Sequence, residues 1–174
     1  MNSPQSMFPA EGTDPRQIVR TMQIIAVALM MGVVMFLGVV LFLRLEKQPD
    51  ANAGLPVVSY VGAIFTVMEL ILRVFVPNLV AIGTIKKFTT LRPINEFKKI
   101  DFYVPYQASM IVGIALLEGG AFLNLIAFLI EGQTWSLGIV AVLLAIMAVT
   151  FPTFDRVDGW AEDQLRQLQL DPQQ

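Results

Sequence analysis

The feature that most constrains the fold of this chain is a set of four long apolar runs. A helix crosses a bilayer with about 20 apolar residues, and a soluble domain of 174 residues could not bury several such runs. Only 15% of the residues are charged, whereas soluble domains are nearer a quarter. Lipid cannot form hydrogen bonds with exposed backbone N–H and C=O groups, so only helices or a closed β-barrel can span a membrane. The alternation of apolar and polar residues that is typical of a membrane barrel is absent, so we expect helices. The runs occupy residues 22–43, 57–82, 108–130 and 135–151.

The sequence therefore predicts an all-α membrane protein, a four-transmembrane-helix bundle with a basic cytoplasmic connection and a C-terminal amphipathic helix. Residues 1–14 are rich in Ser, Pro and Gln and are expected to be disordered. Residues 15–153 form the four-span domain, and Asp14-Pro15 is a helix start, with a capping residue before proline. Residues 154–174 form a tail that is expected to lie on the membrane or on the cytoplasmic connection. Its apolar face consists of Val157, Ala161, Leu165 and Leu168, with Trp160 adjacent.

The positions of lysine and arginine predict that both termini lie in the cytoplasm. That arrangement leaves nine basic residues inside and only Arg44 and Lys47 outside. The connection after the second run carries five of the nine, Lys86, Lys87, Arg92, Lys98 and Lys99, mixed with aromatic residues that suit the headgroup layer. The location expected is the cytoplasmic (inner) membrane, and the first run is too long for the core of a cleaved signal peptide.

Two of the runs carry charge near their centres. On the second run, a single face at heptad spacing holds Ser59, Gly62, Thr66, Glu69 and Arg73. Such a polar face is expected to contact protein or water. Glu118 lies halfway along the third run, and an unpaired charge at this depth costs at least ~3 kcal/mol. We therefore predict a buried charge network in which Arg73 pairs with Glu118, with Glu69 as competitor, and a kink at Pro77.

Small residues predict how the last two spans pack, because they let membrane helices approach closely. Gly113, Gly120, Asn124 and Ala127 lie opposite Glu118 on the third run. On the fourth run, the small residues are Gly138, Ala141, Ala145 and Ala148. The two sets are predicted to form a hairpin contact, joined by the short turn at residues 131–134, so that Glu118 points toward the second span. Alternatively, Glu118 serves an oligomer interface. The first span, free of charge, is expected to face lipid.

Composition removes several classes of chemistry. The chain has no cysteine and no histidine, so thiol chemistry, the commonest metal ligand and the commonest general base are missing. Its net charge of −2 and the lack of a basic face argue against nucleic acid. We expect no metal, no cofactor and no enzymatic activity. A structural or accessory membrane protein is favoured over a proton or ion pathway through Glu69, Arg73 and Glu118, and a membrane enzyme is less favoured. The expected partners are the lipid bilayer and either further copies of the chain or a membrane complex.

The string Ala115-Leu116-Leu117-Glu118-Gly119 resembles the carboxylate helix of the rotary ATP synthase ring subunit. The resemblance covers one helix. The glycine-repeat helix of that family is missing, four spans are predicted instead of two, and Arg73 is on the same chain as the acid, so the family's activity is not carried over. The overall plan, with this string and the ending FPTFDRVDGWAEDQ, is similar to small four-span bacterial membrane proteins of unassigned function. That resemblance implies no activity and no catalytic residue.

Overall fold

The computed structural model describes residues 14–45, 55–91 and 97–170, in which every regular element is helical and no strand occurs. The all-α class predicted from the sequence is therefore confirmed for this part of the chain. The disorder expected for residues 1–14 falls outside the described residues, except for Asp14. The α-helices are α1 (Pro15–Leu45), α2 (Val57–Leu91), α3 (Tyr103–Glu131), α4 (Thr134–Val149) and α5 (Phe154–Leu170), and a short 3₁₀ helix (Lys99–Phe102) precedes α3.

Three helices within the described ranges are long and apolar enough to cross a membrane, namely α1, α2 and α3 together with its preceding 3₁₀ turn. With 16 residues, α4 is about 24 Å long at a rise of 1.5 Å per residue. That is short of the roughly 30 Å of a hydrocarbon core. A fourth crossing is possible if α4 and α5 together make one broken span. The described chain thus has three such helices, or up to four.

The ends of the helices follow their local sequence. At the start of α1, the Asp14 carboxylate accepts the backbone N–H of Arg16 at 2.9 Å, as predicted for a capping residue before Pro15. Helix α2 continues through Pro77, so this proline does not end it. Between α3 and α4, Gly132 has φ 72°, a left-handed conformation that favours glycine, and its N–H donates to the Phe128 carbonyl at 2.7 Å.

The described residues form two compact units. The first takes in residues 14–25, 75–91, 97–112 and 152–170, and the second takes in residues 26–45, 55–74 and 113–151. The long helices contribute a segment to each.

The first unit has a core in which the apolar face of α5 packs against the start of α1 and the segment leading into α3. Its buried members are Val19, Met22, Phe97, Phe102, Tyr103, Val157 and Ala161. Trp160, Leu165 and Leu168 are partly buried against the same core. The amphipathic face predicted for the tail is confirmed, and it is covered by protein.

The second unit consists of segments of α1 to α4, and α3 has the most contact with its neighbours. Half of the most apolar window of α3 is buried, against 17% for α1 and 22% for α2. The Phe36 ring of α1 contacts the Phe122 ring of α3 edge-on at 5.2 Å between centroids. Helix α1, which is expected to face lipid, is therefore largely exposed, and α2 is nearly as exposed.

Candidate functional site: a polar seam between α2 and α3

The most unusual feature of the second unit is that α2 packs through its polar side. Ser59, Gly62, Thr66 and Glu69 are buried, and Glu69 is only 3% exposed. Large apolar residues between them, such as Val61 and Ile64, are exposed. The predicted protein-facing stripe on the second span is therefore confirmed over these four positions, and Arg73 at its end is half-buried. We call Ser59, Gly62, Thr66 and Glu69 of α2, with Gly120 and Asn124 of α3, the polar seam.

Asn124 ties the two helices of the polar seam together. Its side-chain amide nitrogen donates to the Thr66 hydroxyl at 2.7 Å and to its own helix at the Gly120 carbonyl at 2.8 Å. The Thr66 hydroxyl in turn donates to the Gly62 carbonyl at 2.9 Å. A Cβ atom on Gly62 would lie 3.2 Å from the Asn124 side-chain oxygen, so the glycine allows this close approach.

Glu69 lies in a cradle made by two consecutive glycines of α3. A Cβ atom on Gly119 would lie 3.0 Å from Glu69 Oε1, and one on Gly120 would collide with Glu69 Oε2. Within the described residues, Glu69 Oε2 is buried without a hydrogen-bond partner, as are the Asn124 side-chain oxygen and the Ser59 hydroxyl. Three oxygen atoms along the polar seam can therefore still accept hydrogen bonds, and the carboxylate can also take up a proton.

Glu118 lies on the other side of α3 and faces α1. A Cβ atom on Gly32 of α1 would lie 3.3 Å from Glu118 Oε1, and the Glu118 side chain is half-buried. Gly120 and Asn124 contact α2, and residues two and six positions from Glu118 lie on a different face of a 3.6-residue helix. The prediction that Glu118 points toward the second span is therefore wrong.

Arg73 binds neutral oxygen atoms instead of a carboxylate. Its guanidinium donates to the Gly113 carbonyl of α3 at 2.8 Å and to the Thr150 hydroxyl after α4 at 2.9 Å. Among the described residues, no ion pair joins it to Glu69 or Glu118. The predicted charge network of these three residues is wrong, because a guanidinium with five N–H donors can be satisfied by a carbonyl and a hydroxyl.

The predicted hairpin contact between small residues is also wrong. On α3, Gly113, Gly120 and Asn124 all meet α2 rather than α4. On α4, Gly138, Ala141, Ala145 and Ala148 are exposed, and Gly138 has nothing within 4 Å of its would-be Cβ. The buried face of α4 consists of Ser136, Val140, Leu143 and Met147. These larger side chains fill the space beside the other helices, as close packing requires.

Two residues at the far end of the second unit were not predicted as structural residues. Glu131, the last residue of α3, accepts the backbone N–H groups of Val58 at 2.6 Å and Ser59 at 2.8 Å, so it caps the start of α2. Arg44, in the last turn of α1, donates to the Leu129 carbonyl near the end of α3 at 3.3 Å. Its guanidinium also lies against Gly132, where a Cβ atom would collide with it. The predicted topology could have indicated these contacts, because it places the end of α1, the start of α2 and the end of α3 on one side of the membrane.

The first unit holds a separate polar cluster that fastens α5. Lys99 Nζ lies 2.6 Å from Asp158 and 3.3 Å from Glu162, and the Tyr103 hydroxyl donates to Asp158 at 2.8 Å. The hydrogen bonds from Lys99 and then from Tyr103 hold the pKa of the Asp158 carboxyl below its usual range. The cluster is a set of partly exposed docking contacts.

No group of three or more metal-ligating side chains occurs in residues 14–45, 55–91 and 97–170. Comparison with protein-family models, with curated proteins and with solved structures finds no match. The described residues define a helical protein with three, or up to four, helices able to cross a membrane, and the polar seam is its candidate functional site.

Proposed function

We propose that the chain is a small multi-pass integral membrane protein with a structural or accessory role, in which buried polar groups fix the packing of the helices. The observation that carries this proposal is the hydrogen bonding between helices, from Asn124 to Thr66 and from Arg73 to Gly113 and Thr150. These contacts satisfy polar groups that hydrocarbon would otherwise leave unpaired. No substrate, metal or cofactor is part of the proposal, and no reaction is assigned to the chain.

Physical chemistry supports a packing role for these groups. Lipid tails are as apolar as leucine, so close packing and hydrogen bonds must hold membrane helices together. One such hydrogen bond contributes about 0.6 kcal/mol on average and about 1.7 kcal/mol at most. Because α2 buries little apart from its polar stripe, a few such bonds decide whether it stays in register with α3.

The test is a pair of measurements on the purified protein. In detergent, Asn124→Leu should destabilise the fold, because it removes the donor to Thr66 and forces a larger side chain against Gly62. In liposomes, the wild-type protein should carry no proton flux above that of empty vesicles. A stable Asn124→Leu protein would contradict the packing role, and proton flux through the wild type would contradict a purely structural role.

One observation favours a second candidate, a proton or ion pathway. Glu69 is almost fully buried, one of its oxygen atoms has no partner among the described residues, and Arg73 lies one turn away on the same helix. Intramembrane acids commonly mark proton routes, and Glu118 is a second one. In liposomes, this candidate requires a flux that disappears in Glu69→Gln or Glu118→Gln and persists in the control Glu162→Gln, which lies on α5.

The proposal places the chain in the cytoplasmic (inner) membrane with both termini in the cytoplasm, supported by the nine basic residues that this orientation puts inside. Its proposed partners are the lipid bilayer and either further copies of the chain or a membrane complex. The half-buried Glu118 is the polar group that an oligomer contact would use.

A further inference from the structure

The first unit contains a cleft that the proposed function does not use. It has a volume of about 290 Å³ and is lined by Arg16, Val19, Arg20 and Gln23 of α1 and by Phe154 of α5. Of the lining residues, Val19 is buried, and the Gln23 side-chain amide donates to the Pro152 carbonyl at 3.0 Å. The two arginines are exposed, so their guanidinium groups are accessible from outside.

The charge around this cleft is positive. Arg16 and Arg20 are four residues apart and so lie on one face of α1. Among the described residues, neither forms an ion pair. Asp14, two residues before Arg16, already accepts the Arg16 backbone N–H, and Asp155 follows Phe154 in the first turn of α5. The Phe154 ring lies 6.0 Å from the Arg16 guanidinium carbon and gives the cleft an apolar wall.

The same face of α1 becomes apolar within one turn. Ile24, four residues after Arg20, is 61% exposed, and the apolar run of α1 begins at Met22. A ligand on this face would therefore meet two cationic groups at one end and hydrocarbon-like surface at the other. Paired guanidinium groups bind phosphate through charge-assisted, often bidentate hydrogen bonds.

We propose that this cleft binds the phosphate headgroup of an anionic glycerophospholipid, with Arg16 and Arg20 as the phosphate ligands. The acyl chains of the lipid extend past Ile24. The inference requires that α1 lies in a membrane and is independent of whether the protein is structural or a proton pathway, so either role can fail without affecting it.

The test is native mass spectrometry of the full chain from mixed micelles that contain equal amounts of phosphatidylglycerol and phosphatidylcholine. The wild type should retain phosphatidylglycerol preferentially. Arg20→Gln should lower its apparent affinity for phosphatidylglycerol about 5-fold, and Arg16→Gln with Arg20→Gln about 25-fold, because each basic side chain near an anionic headgroup contributes about 1 kcal/mol. Arg20→Lys keeps the charge but loses the planar fork, so it should fall between the wild type and Arg20→Gln.

The matched control is Lys87→Gln, which removes one positive charge from an exposed position of α2 outside the cleft and should leave the preference intact. Three results would overturn the proposal. The first is a wild type with no preference for phosphatidylglycerol. The second is an equal loss in Lys87→Gln and Arg20→Gln. The third is a wild type that binds inorganic phosphate but not the lipid, which would make the cleft a site for free anions. If the double variant does not fold, the lipid preference of the wild type and the affinity of Arg20→Lys for phosphatidylglycerol still test the proposal.

Discussion

At the scale of single residues, Glu69 and Gly120 depend on each other. The Glu69 carboxylate occupies the space where any side chain at position 120 would begin. We therefore expect Gly120→Ala to lower the free energy of unfolding by about 1–3 kcal/mol, the usual cost of overpacking. The measurement is equilibrium unfolding of the purified protein in detergent.

Gly138→Ala is the matched control, because Gly138 is also in a helix but has nothing within 4 Å of its would-be Cβ. Alanine should be neutral or stabilising there by up to ~1 kcal/mol, from helix propensity alone. In a Glu69→Ala background, the cost of Gly120→Ala should shrink. If Gly120→Ala and Gly138→Ala behave alike, the contact between Glu69 and Gly120 does not constrain the packing.

At the scale of helices, Glu131 makes the beginning of α2 dependent on the end of α3. Its two carboxylate oxygens accept the N–H groups of Val58 and Ser59, which no residue within α2 can satisfy. Glu131→Ala should therefore speed hydrogen exchange at these two amides, whereas amides in the middle of α3 should be unaffected. The exposed acid Asp163 of α5 provides the control, as Asp163→Ala. Unchanged exchange at Val58 and Ser59 would contradict the cap.

The docking of α5 should depend on pH through Asp158. Contacts with Lys99 and Tyr103 lower the pKa of its carboxyl in the folded state. A lowered folded-state pKa contributes stability that is complete above the unfolded value, about 3.9, and is lost as the pH falls through the lower folded value. Lys99 and Arg166 also lower the pKa of the Glu162 carboxyl, so its contribution to the docking of α5 is likewise lost on acidification. Docking should be constant from about pH 5 to 7 and weaken below about pH 4.

Trp160, which packs edge-on against Tyr106 at 5.3 Å between ring centroids, can report this undocking. With Trp135→Phe to remove the second tryptophan of the chain, its fluorescence should change on acidification. Asp158→Asn should already loosen α5 at neutral pH and show a smaller acid transition, with Glu162 supplying the remainder. An identical acid transition in Asp158→Asn would exclude Asp158 as the cause.

Periodic patterns predicted two helix faces correctly, and the reason is physical. Each of these two faces differs in polarity from the rest of its helix. Helix α2 has a polar stripe among apolar residues, and α5 has an apolar stripe among polar residues. Helix α4 is apolar throughout, so Gly138, Ala141, Ala145 and Ala148 compete with Ser136, Val140, Leu143 and Met147 at the same spacing. Periodicity alone cannot choose between two such faces.

The partners of Arg73 could not be predicted for a different reason. Opposite charges on membrane helices are expected to pair with each other, but backbone carbonyls have no sequence signature. The Arg73 guanidinium donates to such a carbonyl, that of Gly113. Glu69 similarly lies against bare glycine backbone at Gly119 and Gly120. The small residues of α3 therefore make room for polar side chains of α2. The prediction had placed them instead against the small residues of α4.

At the scale of the whole molecule, the number of crossings decides where the C-terminus lies. Three crossings by α1, α2 and α3 put the two termini on opposite sides, whereas a fourth crossing that begins with α4 puts them on the same side. The positive-inside bias favours the second arrangement, because it keeps Arg156 and Arg166 with the basic connection between α2 and α3.

We therefore expect a reporter that is active only in the cytoplasm to give signal when fused after Gln174 and none when inserted at Asn52 or at Gln133, in the turn between α3 and α4. All fusions should be quantified for protein amount, since a silent fusion must still be present. Signal at Asn52 without signal at Gln174 would invert the orientation. Three crossings would give a different pattern, with signal only from a reporter in the connection between α2 and α3 and none at Asn52, Gln133 or Gln174. In that case α4 does not carry the chain back to the cytoplasm.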